Sequence, residues 1–415
     1  MLPDSRNWLN EGIGMENRKK ESIWTKGFIL LFVINFCYQM GQQMMNTLVP
    51  KYANTFGVSA VLVGLISSVF AIASLAGRPF TSPALDTFSK KKMLMGTILL
   101  ASAVFWGYGA TSNIYTLIGF RLVHGICIGI FSPLAMMMAS NVLPDEKLGS
   151  GIGVFALGQA IGQAVGPGIG LSLSNTYGYS IAFHIGAVVM LIPFALCFLI
   201  PKEKKSEKKY KISVGQILEK DALSPGIITM LLAISYSCIG SYLAIYGEAR
   251  GVENIGLYFT VYAVFLLATR PLSGMLADKY GIIALMIPGI VCAGISFLML
   301  SVAKGMPAFL ITAGVAACGY GICQPQAQAL TLQCVKKERR GVGSNTNFFF
   351  MDCGTLIGPV LAGSVIDFAS KATATDAGSY AIMYRVMLIP MGAALLYLFF
   401  KKKKIQETID KNKGE

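Results

Sequence analysis

Long apolar runs alternate with short polar breaks along the whole chain. The runs fall at roughly 27–49, 58–79, 93–110, 113–138, 150–173, 179–200, 223–246, 255–276, 282–302, 307–333, 342–365 and 378–400. A bilayer core about 30 Å thick takes about 20 apolar residues per helix. Each run therefore predicts one membrane-spanning helix, about twelve in all. The breaks divide the chain into a polar tail (1–26), a first group of six spans (27–200), a Lys/Glu-rich linker with a short surface helix (201–222), a second group of six (223–400) and a basic tail (401–415). The first run is too long for a signal peptide and lacks a small-residue cleavage site, so no cleavable leader is expected. Met15, after a polar opening stretch, is an alternative translation start.

Composition agrees with this reading. Hydrophobic residues make up 54% of the 415 and charged residues 13%, against about 25% charged in an average soluble domain. So few charges cannot clothe a soluble fold, and a mean hydropathy of +0.59 excludes a soluble enzyme, a DNA-binding protein and a disordered scaffold. The net charge of +14 would suggest nucleic acid on a soluble protein. Here the cations sit in the even-numbered connections: Lys90–Lys92, Lys147, Lys202–Lys211, Lys279, and Lys336, Lys337, Arg339 and Arg340, followed by Lys401–Lys404 in the tail. The odd-numbered connections hold little beyond Lys51, Arg250, Lys304 and Lys371. The positive-inside rule then puts both termini in the cytoplasm, in a cell membrane. The nine cysteines form no CxxC and share the chain with two histidines, so they read as small hydrophobes, and neither a metal centre nor a cofactor is expected.

The two groups of spans repeat each other at a constant shift of 192 positions. Arg78-Pro79 aligns with Arg270-Pro271, Gly64 with Gly256, Asp86 with Asp278, Gly129 with Gly321, Pro133 with Pro325, Glu146-Lys147 with Glu338-Arg339, and Gly166-Pro167 with Gly358-Pro359. An even number of spans per repeat makes the repeats parallel, with a binding site expected near mid-depth between the halves. The fold class is thus an all-α membrane protein of two pseudo-symmetric six-helix bundles.

Polar residues that break the symmetry need a reason other than shared architecture. Arg121 stands opposite Ala313, His124 opposite Ala316, and Asp352 opposite Ala160. A charge inside a membrane costs at least a few kcal/mol and marks function by default. Asp352 is the only carboxylate deep within a predicted span, and these three residues are the candidates for proton coupling. The structural alternatives are an ion pair or snorkelling for Arg121, a helix-packing group for His124 and a hydrogen-bonded bend near Gly354 for Asp352. Span 1 carries Asn35, Gln39, Gln42 and Asn46 within a narrow helical sector. Facing lipid, those amides would be unsatisfied, so they belong against other helices or in a wet cavity, with Tyr38 beside them. Gln324 and Gln328 in span 10, Asn345 and Phe349 in span 11, and Tyr242 and Tyr246 in span 7 complete the expected cavity. Amides would orient polar groups and aromatics would accept flat or lipophilic bodies.

Span 5 places Gly158, Gly162, Gly166 and Gly170 four apart, a small-residue stripe that lets helices approach closely, with Pro167 able to bend it. The run Gly153, Gly162, Gly166-Pro167, Gly170 resembles the antiporter motif of drug/proton antiporters in the major facilitator superfamily. Gly274-Met-Leu-Ala-Asp278-Lys279-Tyr-Gly281 resembles that family's signature loop. Its first-half copy keeps Asp86 and Lys90–Lys92 but has Ser82, Thr87 and Ser89 at variant positions. Leu117, Arg121 and His124-Gly125 resemble the fourth-span motif, with His where Gln is usual. The Arg-Pro pairs are similar to a bacterial efflux-like subgroup. The resemblance covers nearly the whole chain. It implies a monomeric, non-enzymatic transporter in the lipid bilayer that exports a small amphipathic or lipophilic molecule by proton antiport, with the proton gradient as driving force and no nucleic-acid partner. It also implies that Asp86, Asp278, Gly274 and Gly281 serve gating, and that the glycines and prolines of spans 5 and 11 (Gly162, Gly166, Pro167, Gly358, Pro359) pack on the opposite half. The chain departs from many such antiporters in having no acid in span 1. An uptake permease, a non-transporting membrane sensor and a membrane-embedded enzyme are the alternatives.

Overall fold

The computed structural model describes residues 23–143, 148–201, 218–336, 339–373 and 375–413. Twelve helices among them are long and apolar enough to cross a membrane. We number them α1 (Lys26–Asn54), α2 (Ala60–Thr87), α3 (Lys90–Ala110), α4 (Ile114–Asn141), α5 (Leu148–Tyr177), α6 (Tyr179–Cys197), α7 (Leu223–Ala249), α8 (Gly256–Tyr280), α9 (Ile282–Val302), α10 (Gly305–Gln333), α11 (Arg340–Ser370) and α12 (Asp376–Lys413). Their starts are set by local chemistry. Thr25, Ser59 and Asn113 accept from the backbone N–H of Phe28, Leu62 and Tyr115, so each caps a helix. Gly281 has φ +87° in the turn between α8 and α9, where a side chain would be strained.

Two helices are broken at related places. α6 divides at Met190 and α12 at Met387. Pro193 and Pro390 follow each break and lack the N–H that would have bonded Val189 and Val386. The tail expected after residue 400 instead continues as helix to Lys413. Ile405 and Ile409, four apart, are buried, and Asn412 Nδ2 donates to the Cys334 carbonyl at 2.6 Å. An apolar stripe hidden among lysines docks this end on the second bundle. Of the expected linker, 202–217 lies outside the described residues, with the surface helix placed there. Its far end is anchored, since the Glu219 N–H donates to Thr346 Oγ1 at 2.8 Å and its carboxylate pairs with Arg339.

Glycine decides which helices touch. A methyl group on Gly162 would meet the Phe36 carbonyl, and one on Gly166 would meet that of Met40. Gly354 and Gly358 press on the Met230 and Ile234 carbonyls in the same way. The stripe on α5 therefore packs α1, and its copy on α11 packs α7. Both partners lie within the stripe's own half, not the opposite half as expected. The reason is geometric: residues four apart form one face, and the inter-half contact uses another. There Gly168 abuts Gly256, while the Pro359 carbonyl faces Gly64. The pseudo-symmetric contacts between halves are α2 with α11 and α5 with α8.

Gly166→Ala should thus lower thermal stability by about 1–3 kcal/mol, the usual cost of overpacking. Gly119→Ala, whose added methyl meets nothing within 4 Å, should leave it unchanged or slightly raised. Equal melting temperatures for the two variants would contradict the packing assignment.

Candidate functional site

Asp352 lies near the middle of α11 at 9% exposure. Among the described residues it is the only Asp or Glu in the buried class. The α1 amides are also interior, with Asn35, Gln39 and Gln42 buried and Asn46 half-buried. They face α5 and one another. Asn35 Nδ2 donates to the Phe155 carbonyl and Gln163 Nε2 to Gln39 Oε1, both at 3.5 Å. Gln42 Nε2 donates to Asn46 Oδ1 at 3.4 Å, and Asn46 Nδ2 to Gln43 Oε1 at 2.8 Å. Tyr38 stacks on Phe131 of α4, with ring centroids 3.5 Å apart.

Arg121 and His124 form a second cluster inside the first bundle. Arg121 Nη1 is 3.4 Å from His124 Nδ1, and the Tyr108 hydroxyl is 3.1 Å from the same nitrogen. A guanidinium only donates, so Nδ1 is an acceptor and the ring proton belongs on Nε2. The Phe70 ring covers the guanidinium at 4.8 Å, a cation–π contact. This arrangement holds Arg121 with dipoles and a ring face.

In the second bundle Gln324 accepts from Arg270 Nη2 at 2.7 Å, and Gln328 is half-buried on the same helix. Asn345 and Phe349 are half-buried on α11, with Phe349 edge-on to Phe350. Asn347, which the sequence reading passed over, is buried and accepts from Thr229 at 2.7 Å and Thr331 at 3.2 Å, joining α7, α10 and α11. Tyr246 belongs to the packed core of its own bundle. Its hydroxyl donates to the Leu300 carbonyl at 2.9 Å, among Phe309, Tyr380 and Tyr384.

Tyr242 instead ties the halves together at the end opposite the termini. Its hydroxyl lies 2.8 Å from both the Ala60 and Pro359 carbonyls. Beside it the Asp367 carboxylate, from α11, accepts from the Ala60 N–H at 2.9 Å and the Val61 N–H at 3.1 Å. One half thus caps the first turn of a helix in the other, where amides and helix dipole both favour an anion. Ser68 donates to the Leu356 carbonyl, Ser241 to Ser67 at 3.0 Å, and Lys51 pairs with Glu248 at 3.4 Å. The symmetry mate of Asp367 is Asn175, which donates to the Glu253 carbonyl at 3.4 Å beside the start of α8. That repeat of Asn175 and Asp367 at the 192 shift was the available signal for this seal. A cleft of about 630 Å³ also opens at this end, lined by Arg250, Ser301, Lys304 and Arg385 among others. The side chains of Asp86 and Asp278 lie outside the described residues. Gly274 meets no close neighbour.

The model of the Major Facilitator Superfamily matches residues 31–253 and 225–415. The chain belongs to that superfamily. It is 26% identical over 365 residues to the multidrug resistance protein MdtG of Serratia proteamaculans, covering 82% of this chain and 87% of that one. It is 20% identical over 271 residues to the staphylopine export protein of Staphylococcus aureus, covering 61% of this chain and 68% of that one. The fold matches the bacterial homologue of the human lysosomal transporter Spinster (TM-score 0.77, 14% identity, 92% of this chain and 97% of that one). It also matches the nucleoside transporter NupG (TM-score 0.74, 13% identity, 90% and 99%). The chain is a multi-pass membrane transporter, not an enzyme, and the drug/proton antiporter-like branch is supported.

Asp367→Asn should loosen the seal opposite the termini. A charge-assisted hydrogen bond contributes about 1.5–3 kcal/mol, and losing even the lower figure shifts the closed state about tenfold. Labelling of a cysteine placed at Ser67 by an impermeant maleimide added on that side should accelerate accordingly. An unchanged rate would show that the cap does not hold the gate.

Proposed function

We propose that this transporter exports a small amphipathic or lipophilic molecule across the cell membrane by proton antiport, acting as a monomer with both termini in the cytoplasm. The observation that carries the reading is Asp352, a carboxylate at 9% exposure mid-way along a membrane helix that also forms the inter-half contact. A buried carboxylate is costly when charged and much less so when protonated. Proton binding therefore changes the relative energy of any two arrangements that solvate Asp352 differently, which is what coupling requires. The similarity to multidrug resistance and export proteins supports the outward direction. Lysines and arginines crowded in the even-numbered connections support the orientation.

The mechanism follows from the contacts already described. When the halves rock, the Asp367 cap, the Tyr242 bonds and the Lys51–Glu248 pair must break together, while the glycine-packed pairs α1–α5 and α7–α11 move as units. Beside the glycine approaches between α2 and α11, the seal is made of small polar contacts of side chains with backbone and with one another. These can be exchanged for water as that end opens, at a net cost of about 0.5–1.5 kcal/mol per neutral hydrogen bond.

Asp352→Asn should abolish pH-gradient-driven transport in reconstituted vesicles while the protein still folds and inserts. A full response to the gradient in the variant would remove Asp352 from proton coupling. Gln39→Ala combined with Gln42→Ala should change the ranking of transported compounds more than the amount of protein. An unchanged ranking would take α1 out of the substrate site.

A further inference from the structure

The second bundle holds a cation that proton coupling and gating leave unused. Arg270 lies about 21 Å along α8 from Gly256 and about 10 Å short of Ala277, where the apolar span ends, at about 1.5 Å per residue, so it is inside the span, in the third nearer the termini. Its Nη2 is held by Gln324, and its buried Nε has no hydrogen-bond partner. Among the described residues no carboxylate pairs with it, and the ionisable groups around it are Tyr262, Tyr236 and Tyr320. Tyr236 donates to the Tyr262 hydroxyl at 3.0 Å and stacks on Tyr320, with centroids 3.4 Å apart and planes 9° apart. Arg270 also borders the apolar crevice between α5 and α8, with Leu157, Ala160, Ile161 and Ala263, which is closed in this arrangement, so a ligand reaches Arg270 only when the halves part. That crevice lies on the seam between the halves.

A guanidinium stays protonated even when buried, and burying one without an opposite charge is strongly unfavourable. Arg121 also has an unpartnered buried Nε, but a ring covers its face and two polar neighbours surround it inside one bundle, whereas Arg270 lies beside the seam between the halves. Arg270 has one amide holding one corner of its fork and an N–H pointing at nothing. The missing partner is an anion, and planar oxyanions pair with guanidinium through two parallel bonds. The adjoining stacked tyrosines offer an aromatic surface. We propose that the cargo is an anionic aromatic amphiphile, whose carboxylate or sulfonate seats on Arg270 and whose ring lies against the Tyr236–Tyr320 stack. This names the cargo of the transport site and rests on the export reading above. Gln324 is a positioning residue that orients the guanidinium.

The test uses two xanthene dyes of similar scaffold and opposite charge, carboxyfluorescein and rhodamine 6G, with the full chain in nanodiscs. Fluorescence anisotropy should show wild type binding carboxyfluorescein at least tenfold more tightly than rhodamine 6G. Arg270→Gln should lose that preference, Arg270→Lys should keep part of it, and Gln324→Leu should weaken carboxyfluorescein binding severalfold without changing rhodamine 6G binding. The wild-type ranking decides even if a variant fails to fold: no binding of carboxyfluorescein, or a preference for rhodamine 6G, overturns the proposal. So does an Arg270→Gln protein that binds carboxyfluorescein as wild type does. Flux in vesicles under a pH gradient separates the two levels. Arg270-dependent binding without driven flux sustains the anion site and sinks proton-driven export. Driven flux of rhodamine 6G without carboxyfluorescein binding does the reverse.

Discussion

A helix in lipid has no water to satisfy a stray polar group, so the amides, hydroxyls and charges within a span turn to the interior, where most find partners and a few, such as Arg270 Nε, do not. That constraint organises this molecule. It turns Asn35, Gln39 and Gln42 away from the bilayer, the first two towards α5. It gathers Tyr108 and His124 around Arg121, and ties Asn347 to three helices. It also makes the seal between the halves out of backbone carbonyls and amides, the polar groups every helix supplies. Close approach is the second requirement, and glycine meets it: α5 reaches the α1 backbone at Gly162 and Gly166, and α11 reaches that of α7 at Gly354 and Gly358.

On the alternating-access reading proposed above, these two requirements divide the bundle into parts that stay together and parts that separate. The glycine-lined pairs lie within a half and bury backbone against backbone. The seams between halves share such close approaches, at Gly64 with the Pro359 carbonyl and at Gly168 with Gly256, but add the Asp367 cap, Tyr242 and a few serines, contacts that water can replace. Alternating access needs this division, because the moving bodies must be stiffer than the joint between them. Asp352 sits on the helix common to both, α11, which packs α7 of its own half and α2 of the other. On the same reading, a change in its charge acts at the joint.

Much of the fold was legible because a span of twenty apolar residues is a long, redundant signal, and because the repeat doubled it. Helix count and the inward face of α1 followed from spacing alone. What spacing leaves out is the neighbour. It showed that the α5 stripe packs closely but not that the partner is α1 of the same half. Tyr242 and Tyr246 share a helical face four residues apart, yet one closes the seam and the other fills a core, because that face spans two surroundings. Ile405 and Ile409 were masked by the lysines around them. Arg270 was visible as half of a repeated Arg-Pro pair, a mark of symmetry. Its missing counter-charge emerges only when Gln324 and the tyrosines of three helices are brought around it. Asp367 and Asn175 sit at helix ends, where hydropathy carries no information.

The central claim is that two rigid halves exchange which end is sealed and that Asp352 biases the exchange. Pulsed electron spin resonance between labels at Thr55 and Lys371, in a background stripped of accessible cysteines, measures it most directly. Both positions are exposed at the sealed end. The account predicts two distances whose proportions change with pH in the wild type and no longer change in Asp352→Asn. A single distance at every pH, or a pH response that persists in the variant, would contradict it.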